Sequence, residues 1–473
     1  MSKKKVHTLN ELLEKVLVPE DEQPYDIPEN WVYVRLGKVV EFQGGSQPPK
    51  SVFKDEQLDG YIRLIQIRDF KSDKFKTYIP KELAKRTFEE NDVMIGRYGP
   101  PVFQILRGLS GAYNVALMKA TPIKCLMDND YLYYLLQVPF IQNPVIKESH
   151  RTAGQTGIRK ELIEDFVIGL PPMKEQKRIS EKIKRFLSKI EEAKQLIEEA
   201  KETFELRRAA ILDKAFRGVL GTNDSKEESV IKVLGTDKIN NDVNEPFEIP
   251  ENWVWTKLED ISEYIQRGKS PKYVELSNVK VVSQKCVQWS GFDINPARFI
   301  DEETIKNYTK ERLLRKNDIL WNSTGTGTIG RVAIINELEG IVVADSHVTI
   351  VRSDNIMNSR LLFRWLSGPY IQNKLKNAWS GSTNQVELNL TTVKQQLVPL
   401  PPLNEQERIV EKVDYVLSKL EEEQKLTQTT FDNLEAMRES ILSKAFRGEL
   451  GTNDPSEENA IELLKEVLEE QLK

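Results

Sequence analysis

Pro28-Glu29-Asn30-Trp31-Val32 returns as Pro250-Glu251-Asn252-Trp253-Val254, an offset of 222 residues. Leu170-Pro171-Pro172 with Glu175-Gln176 returns as Leu400-Pro401-Pro402 with Glu405-Gln406, now at an offset of 230. Lys214-Ala215-Phe216-Arg217-Gly218 and Gly221-Thr222-Asn223-Asp224 recur at the same 230, as Lys444 to Gly448 and Gly451 to Asp454. A repeat of this length organises the whole chain, so every other motif is judged inside it. The change of offset makes the second insert eight residues longer than the first. What repeats is a frame; what diverges lies between its edges.

Each copy closes on a long helical pattern. Ile179, Ile183, Phe186, Ile190, Ala193, Ile197, Ala200 and Phe204 advance in alternating steps of four and three, the seam of a coiled coil. Pro172 suits a helix's first turn and Gly218 its stop, so a helix from about 173 to 216 would be roughly 65 Å long. The second copy keeps Ile409, Val413, Val416, Leu420, Leu434, Met437 and Ile441, with Glu423, Thr427 and Thr430 in mid-seam. Antiparallel pairing of the two copies is the expected arrangement; a generic dimerising coiled coil is the bland alternative. Residues 10–17 form a short amphipathic run that is nearly repeated at Glu462 to Leu468, with Val230 to Leu234 in the matching place between repeats. The two termini are therefore expected in equivalent places of a closed, pseudo-twofold ring.

The inserts read as mixed α/β. Tyr61–Ile67, Asp92–Ile95 and Val115–Met118 are strand-like in the first; Lys280–Val282, Asp318–Trp321, Arg331–Ile335 and Val348–Val351 are strand-like in the second. Helical runs at Tyr131–Leu136 and Arg360–Leu366 occupy comparable positions, so the inserts are expected to share a fold. With 473 residues and 39% hydrophobic content there is material for about three domains. No window holds the roughly 18 apolar residues of a membrane span, and the basic start, Met1 to His7, has no apolar stretch behind it. Cys125 and Cys286 lack metal-type pairing, as expected in a reducing cytoplasm. The net charge of −5 hides an asymmetry. Residues 31–168 carry 20 basic against 16 acidic side chains and residues 253–399 carry 19 against 15, while residues 400–473 carry 9 against 18. The acid sits in the C-terminal helical part, and the mildly basic inserts are compatible with phosphate contact.

Catalytic motifs fail one by one. Gly325-Thr326-Gly327-Thr328-Ile329-Gly330 matches a dinucleotide fingerprint in letters, but β-branched residues follow where a helix should open, so a strand-to-strand loop is expected. His7, His150 and His347 are too dispersed for a metal cluster, and neighbours such as Asp345, Ser346 and His347 rarely converge on one strand. The double-proline sites lack the Asn/Asp-Pro-Pro-Tyr/Phe arrangement of amino-methyltransferases, and no nuclease carboxylate cluster is evident.

The paired order of Pro-Glu-Asn-Trp, variable insert, Leu-Pro-Pro-x-x-Glu-Gln and a long helix ending in Lys-Ala-Phe-Arg-Gly resembles the specificity subunit of type I restriction–modification enzymes over essentially the whole chain. The resemblance implies an α+β fold: two mixed α/β target recognition domains in a pseudo-twofold arrangement, separated by two long antiparallel coiled-coil helices. It divides the chain into an N-terminal arm (1–30), a first recognition domain (31–169), a central helix (170–222), a linker (223–252), a second recognition domain (253–399), a C-terminal helix (400–450) and an amphipathic tail (451–473). It implies no catalysis and no bound cofactor in this chain. Each domain would read one half of a bipartite asymmetric site in double-stranded DNA, and the helices would set the spacer. The implied partners are two methyltransferase subunits acting on adenine N6 with S-adenosylmethionine, and two motor/nuclease subunits using ATP and Mg, in the cytoplasm and without a membrane. A stand-alone methyltransferase and a coiled-coil scaffold without DNA recognition are the rival readings.

Base reading calls for amide, hydroxyl and guanidinium groups on loops, with glycine where backbone approaches DNA. The first insert offers Gln43, Ser46, Gln47 and Lys50; Arg63, Gln66 and Arg68; Arg97 and Tyr98; Tyr113 and Asn114; and Arg151, Gln155 and Thr156. The second offers Arg267, Lys269, Ser270 and Lys272; Gln284 and Lys285; Asn322, Ser323, Thr324 and Thr326; Ser346 and His347; and Ser382, Asn384 and Gln385. Glu175, Gln176, Glu405 and Gln406 are expected to fix how each helix leaves its domain. Phe216 and Phe446 are expected to pack at the far end or against a methyltransferase subunit. Trp31 and Trp253 are expected as core anchors.

Overall fold

The structure, a computed structural model, describes residues 9–99, 101–123, 126–151, 157–235, 245–325, 327–379 and 387–472. It divides into two compact units, Met1–Ile197 with Thr429–Lys473, and Glu198–Gln428. The sequence repeat and the structural unit are thus out of phase, because each unit borrows the end of a long helix from the other repeat.

In the first unit, β1 (Val32–Arg35) follows Trp31 and pairs antiparallel with β10 (Val167–Leu170), Val32 facing Leu170. Entry and exit of the insert are therefore adjacent, and everything between them can vary in length without disturbing the frame. The insert's first sheet is antiparallel, β2-β9-β6-β7, from β2 (Val40–Gly44), β6 (Val93–Gly96), β7 (Gln104–Leu106) and β9 (Leu117–Pro122). The second, β4-β3-β8-β5, contains β3 (Tyr61–Ile65), β4 (Tyr78–Pro80), β5 (Thr87–Phe88) and β8 (Gly111–Tyr113), with β3 and β8 parallel.

The second unit repeats this plan. β11 (Val254–Lys257) pairs with β22 (Leu397–Leu400), Val254 facing Leu400. β12 (Ser262–Arg267), β18 (Ile319–Asn322), β19 (Val332–Ile334) and β21 (Val348–Ser353) form the antiparallel sheet β12-β21-β18-β19. The other sheet runs β13-β17-β14-β20, with β13 (Tyr273–Val274), β14 (Val279–Val282), β17 (Arg298–Ile300) and β20 (Ile341–Ala344), and β14 parallel to β20. Between these lies a hairpin, β15 (Val287–Gln288) and β16 (Gly291–Phe292). The two second sheets share a three-stranded core and add their fourth strand at opposite edges: β5 beside β8, but β13 beside β17. The glycine-rich run 325–330 joins β18 to β19, with positive φ at Gly325, Gly327 and Gly330, as a strand-to-strand loop.

The long helices span Met173–Phe216 and Leu403–Ala445. In the first unit Ile179 and Ile183 share a core with Leu442 and Ala445, and Lys194 pairs with Glu435. In the second, Leu212 and Ala215 share a core with Ile409 and Val413, and Arg207 meets Glu423 at 2.7 Å. Both sets of contacts run antiparallel. The expected heptad needs correction, however. Ala200 is exposed and Met437 is 53% exposed. The buried stripe passes instead through Leu417 and Leu442, one residue beyond the expected Val416 and Ile441. A helix that keeps 3.6 residues per turn drifts by about 20° per heptad from a strict 3.5 repeat.

The helix Leu9–Val16 packs against Ala460–Leu472 through Leu13, Leu464 and Leu468. Asn30 donates to the Asp454 carbonyl at 3.0 Å, and the Ala460 amide donates to the Asn30 carbonyl at 2.9 Å. In the second unit Asn252 donates to the Asp224 carbonyl at 3.1 Å, and Val230 N to the Asn252 carbonyl at 3.4 Å. Each entry motif thus clasps the Gly-Thr-Asn-Asp tail of the other repeat.

Candidate functional site

Five strand ends and one helix-flanking segment meet at one edge of each insert, and the same backbone hydrogen bonds tie them. In the first unit the Gly45 amide donates to Leu117 O (3.0 Å), Ser46 to Tyr113 O (3.1 Å), Arg97 to Ala116 O (2.9 Å), Asn114 to Ile65 O (3.2 Å) and Ile158 to Arg97 O (3.4 Å). In the second, Gly268 donates to Val348 O (3.0 Å), Lys269 to Ala344 O (3.2 Å), Ser323 to His347 O (2.9 Å), Asp345 to Val282 O (3.0 Å) and Leu388 to Ser323 O (2.8 Å). Each central turn is closed by a side chain: Asn114 Oδ1 accepts from Ala116 N at 3.1 Å, and Asp345 Oδ1 from His347 N at 2.9 Å. Gly45 and Gly268 are required by close approach. A Cβ there would stand 2.0 Å from Asn114 O or 2.1 Å from Ala344 O. The described loops among those selected on residue type are therefore tied to one another at the strand ends of each unit.

Their side chains divide by environment. In the first unit Gln43, Gln47, Lys50, Arg68 and Tyr98 are exposed, and Ser46 is half-buried. The Arg97 guanidinium donates to the carbonyls of Ile158 and Val115 and lies 5.6 Å from the Tyr98 ring, so it holds the loop. Arg63 is tied to Asp73 at 2.8 Å, and Gln66 caps a short helical turn with Asp69. Tyr113 is fully buried, its hydroxyl on Gln43, and burial pushes its pKa up. In the second unit Lys269, Lys272, Lys285 and His347 are exposed. Ser270 and Ser346 share a 2.9 Å hydrogen bond, Lys272 pairs with Asp301 at 3.4 Å, and Arg267 pairs with Glu387. Asn322 and Ser323 are fully buried, Asn322 donating to the carbonyls of Gln284 and Val287 and Ser323 bonding Thr349. Tyr113, Asn322 and Ser323, expected at the surface, thus serve the frame, because inward-facing positions at the strand ends turn them into the core. The Arg151 side chain, Gln155, Thr156, Thr326, Ser382, Asn384 and Gln385 lie outside the described residues.

The comparisons with known proteins decide the family. Residues 28–202 and 250–429 each match the family described as type I restriction modification DNA specificity domain. This chain belongs to that family. It is 26% identical to the type I restriction enzyme EcoBI specificity subunit of Escherichia coli, over 90% of this chain and 87% of that one. It is 25% identical to the MjaVIII specificity subunit of Methanocaldococcus jannaschii, over 90% and 94%. The fold is that of the HsdS subunit from Thermoanaerobacter tengcongensis, with a TM-score of 0.56 at 20% identity, covering 91% of this chain and all of that one. A chain from a structure titled for complex assembly and conformational transition of the type I R-M system aligns with a TM-score of 0.67 at 19% identity, over 90% and 100%. Two copies of the specificity domain in one chain make it a type I specificity subunit with two target recognition domains.

Within this specificity subunit the shared helix motifs are internal locks. Phe446 is buried against Tyr131 and Phe216 against Trp365, ring centroids 4.9 Å apart in both. Both thus pack at the far ends of their helices, the first of the two expected placements, and neither lies on an exposed docking surface. Glu175, Gln176, Glu405 and Gln406 are at most 1% exposed. Glu175 accepts from Trp31 Nε1 at 2.9 Å, and both Trp31 and Trp253 are core side chains. Sequence reading missed a clamp. Arg178 grips Glu457 with two 2.8 Å bonds, and Arg408 grips Glu227 at 3.0 and 2.7 Å. The Arg178 guanidinium holds the Glu457 carboxyl below its ordinary range. The signal was available, since the 230-residue offset relates both arginines and both glutamates. Among the described residues no helix is long and apolar enough to cross a membrane, and no His/Cys/Asp/Glu group could hold a metal ion.

Proposed function

We propose that this subunit is the non-catalytic sequence reader of a type I restriction–modification complex, each unit's face contacting one half of a bipartite, asymmetric DNA site. One observation carries this: five equivalent backbone hydrogen bonds build the same face twice, and the side chains mounted on it are unlike. Exposed Lys50, Arg68, Lys269 and Lys285 on mildly basic inserts supply phosphate contacts that set register, while turn side chains read base edges. The long helices set the spacer and dock two methyltransferase subunits that modify adenine N6 with S-adenosylmethionine. Two motor/nuclease subunits, using ATP and Mg, complete the restricting assembly in the cytoplasm. With Phe216 and Phe446 buried, docking falls to exposed apolar side chains such as Leu196, Leu206, Tyr415 and Met437.

Exchanging residues 31–168 for the insert of a related subunit tests the reading. Methylome sequencing of cells carrying the hybrid with its methyltransferase should show one half of the methylated site changed and the other kept. A change in both halves, or in neither, defeats modular reading. The spacer is tested separately. Four residues added to each long helix, near 197 and 428, lengthen it by about 6 Å, roughly two base-pair steps. The spacer should grow while both half-sites persist; an unchanged spacer removes the ruler role.

A further inference from the structure

We infer that His347, oriented by Thr324 and Gln284, is a base-reading residue of the second unit, and that it donates a hydrogen bond to a purine edge. The inference rests on the DNA-reading proposal and narrows it to one side chain and one chemistry. Thr328 Oγ1 donates to Gln284 Oε1 at 3.1 Å, and Gln284 Nε2 donates to Thr324 Oγ1 at 2.9 Å. Thr324 Oγ1 lies 2.7 Å from His347 Nδ1. Thr324 Oγ1, already accepting from Gln284 Nε2, still has its own proton to give, and given to Nδ1 it sets the tautomer. With Nδ1 accepting, the other nitrogen of the exposed ring, Nε2, is the donor. In the major groove that donor matches purine N7 or guanine O6.

Two further observations mark the chain as built. Gly325 has a φ of +101°, and a Cβ there would stand 2.6 Å from Gln284 Oε1 and 2.4 Å from Thr328 Oγ1, so glycine makes room for the amide. The backbone beneath it is also fixed, because His347 N is held by Asp345 Oδ1 and His347 O by Ser323 N. The equivalent hydrogen bonds of the first unit place Ile67, Tyr98 and Ala116 where Gln284, Thr324 and His347 stand. Ile67 and Ala116 carry no polar side-chain group, so no such chain forms there. The frame is conserved between units and the chain is not, which is the pattern of a specificity determinant rather than of a structural support.

The test uses the complex reconstituted with its methyltransferase subunits, and duplexes carrying every single-base change in the half-site assigned to the second unit by insert exchange. His347→Ala should lower discrimination about tenfold to a hundredfold at one purine position and leave the other positions unchanged. Thr324→Val, which breaks the chain but keeps the imidazole, should relax the same position. His347→Gln, which keeps an N–H donor, should restore part of the discrimination. Uniform weakening across all duplexes would make His347 a phosphate contact and overturn the inference. Unchanged discrimination would overturn it as well. If Thr324→Val behaves as wild type, the orienting chain is refuted. A wild-type complex that discriminates no base in that half-site would instead defeat the DNA-reading proposal itself.

Discussion

Asp318→Ala is expected to destabilise the second unit by about 3–5 kcal/mol, because it strands a buried guanidinium. Asp318 is 1% exposed immediately before β18 and accepts from Arg352 Nε at 2.6 Å and Nη2 at 2.7 Å. Its Oδ2 also accepts from the Arg315 amide at 2.8 Å, closing the turn that enters the strand. Arg352, on the neighbouring strand β21, spends its remaining donors on the carbonyls of Glu311 and Leu313 at 3.1 and 3.0 Å. Removing the carboxylate leaves a charge that is 7% exposed, with the more distant Glu263 at 3.7 Å and the Tyr264 ring to answer it. The first unit contains a built-in control. Asp92 caps the matching turn through the Glu89 amide at 2.8 Å, but its ion pair with Lys119 is nearly one-fifth exposed on both sides. Asp92→Ala should therefore cost about 1–2 kcal/mol, since water can solvate the abandoned ammonium. Hydrogen exchange read separately for the two units checks both. Equal losses of protection, or none for Asp318→Ala, would show that the pair is not what holds β18 to β21.

The frame was legible because it is written twice. Pairing Trp31 with Trp253, and one Glu-Gln with the other, located both helix starts and both insert edges before any contact was known. The strand order was not legible, since β3 lies parallel to β8 across the intervening residues 66–110 and no local pattern records that register. The edge strands β5 and β13 sit on opposite sides for the same reason. The helix seam was read correctly at Ile179, Ile183, Ile190, Ile409 and Leu420 and wrongly at Met437, because apolar residues near the expected spacing concealed a slow rotation of the stripe.

The candidate site was legible as a set of loops and not as a set of side chains. Residue type and glycine content identified stretches, and those within the described residues are joined by backbone hydrogen bonds at the strand ends of each unit. Which member of a stretch faces outward depends on where the strand stops. Asn322 and Ser323 close β18 and point inward, whereas Thr324, one residue later, reaches His347. Arg267 was a DNA-contact candidate in sequence, yet Glu387, 120 residues away, pairs with it. Long-range partners of this kind leave no mark in a local window.

The largest effect expected on the shared frame comes from an amide. Gln176 is fully buried, and its Nε2 donates to the carbonyls of Leu126 and Pro171, both at 3.0 Å, while Oε1 accepts from the Asp128 amide at 2.8 Å. Gln406 does the same in the second unit, to Ile356 and Pro401 at 2.9 Å and from Asn358 at 2.7 Å. Asp128 and Asn358 cap the helices Asn129–Leu135 and Ser359–Leu366, so each glutamine ties an insert helix, the insert's exit strand and the long helix to one side chain. Gln176→Ala leaves two carbonyls and one N–H without partners in a dry site. Each such orphan costs about 1–3 kcal/mol, and with partial entry of water the sum should be about 3–5 kcal/mol. Gln176→Glu keeps the volume and the acceptor but loses both donors, so it should be nearly as damaging, which separates hydrogen bonding from packing. Exposed Lys177→Ala, one residue along the same helix, should stay within about 0.5 kcal/mol. Denaturation of the purified subunit measures the first effect. Methylation by the complex measures the second, and it should fall when either glutamine is replaced, because a face that is no longer fixed to its helix cannot hold its half-site in register with the other. A Gln176→Glu variant as stable and active as the wild type would show that shape, not the amide, joins insert to helix.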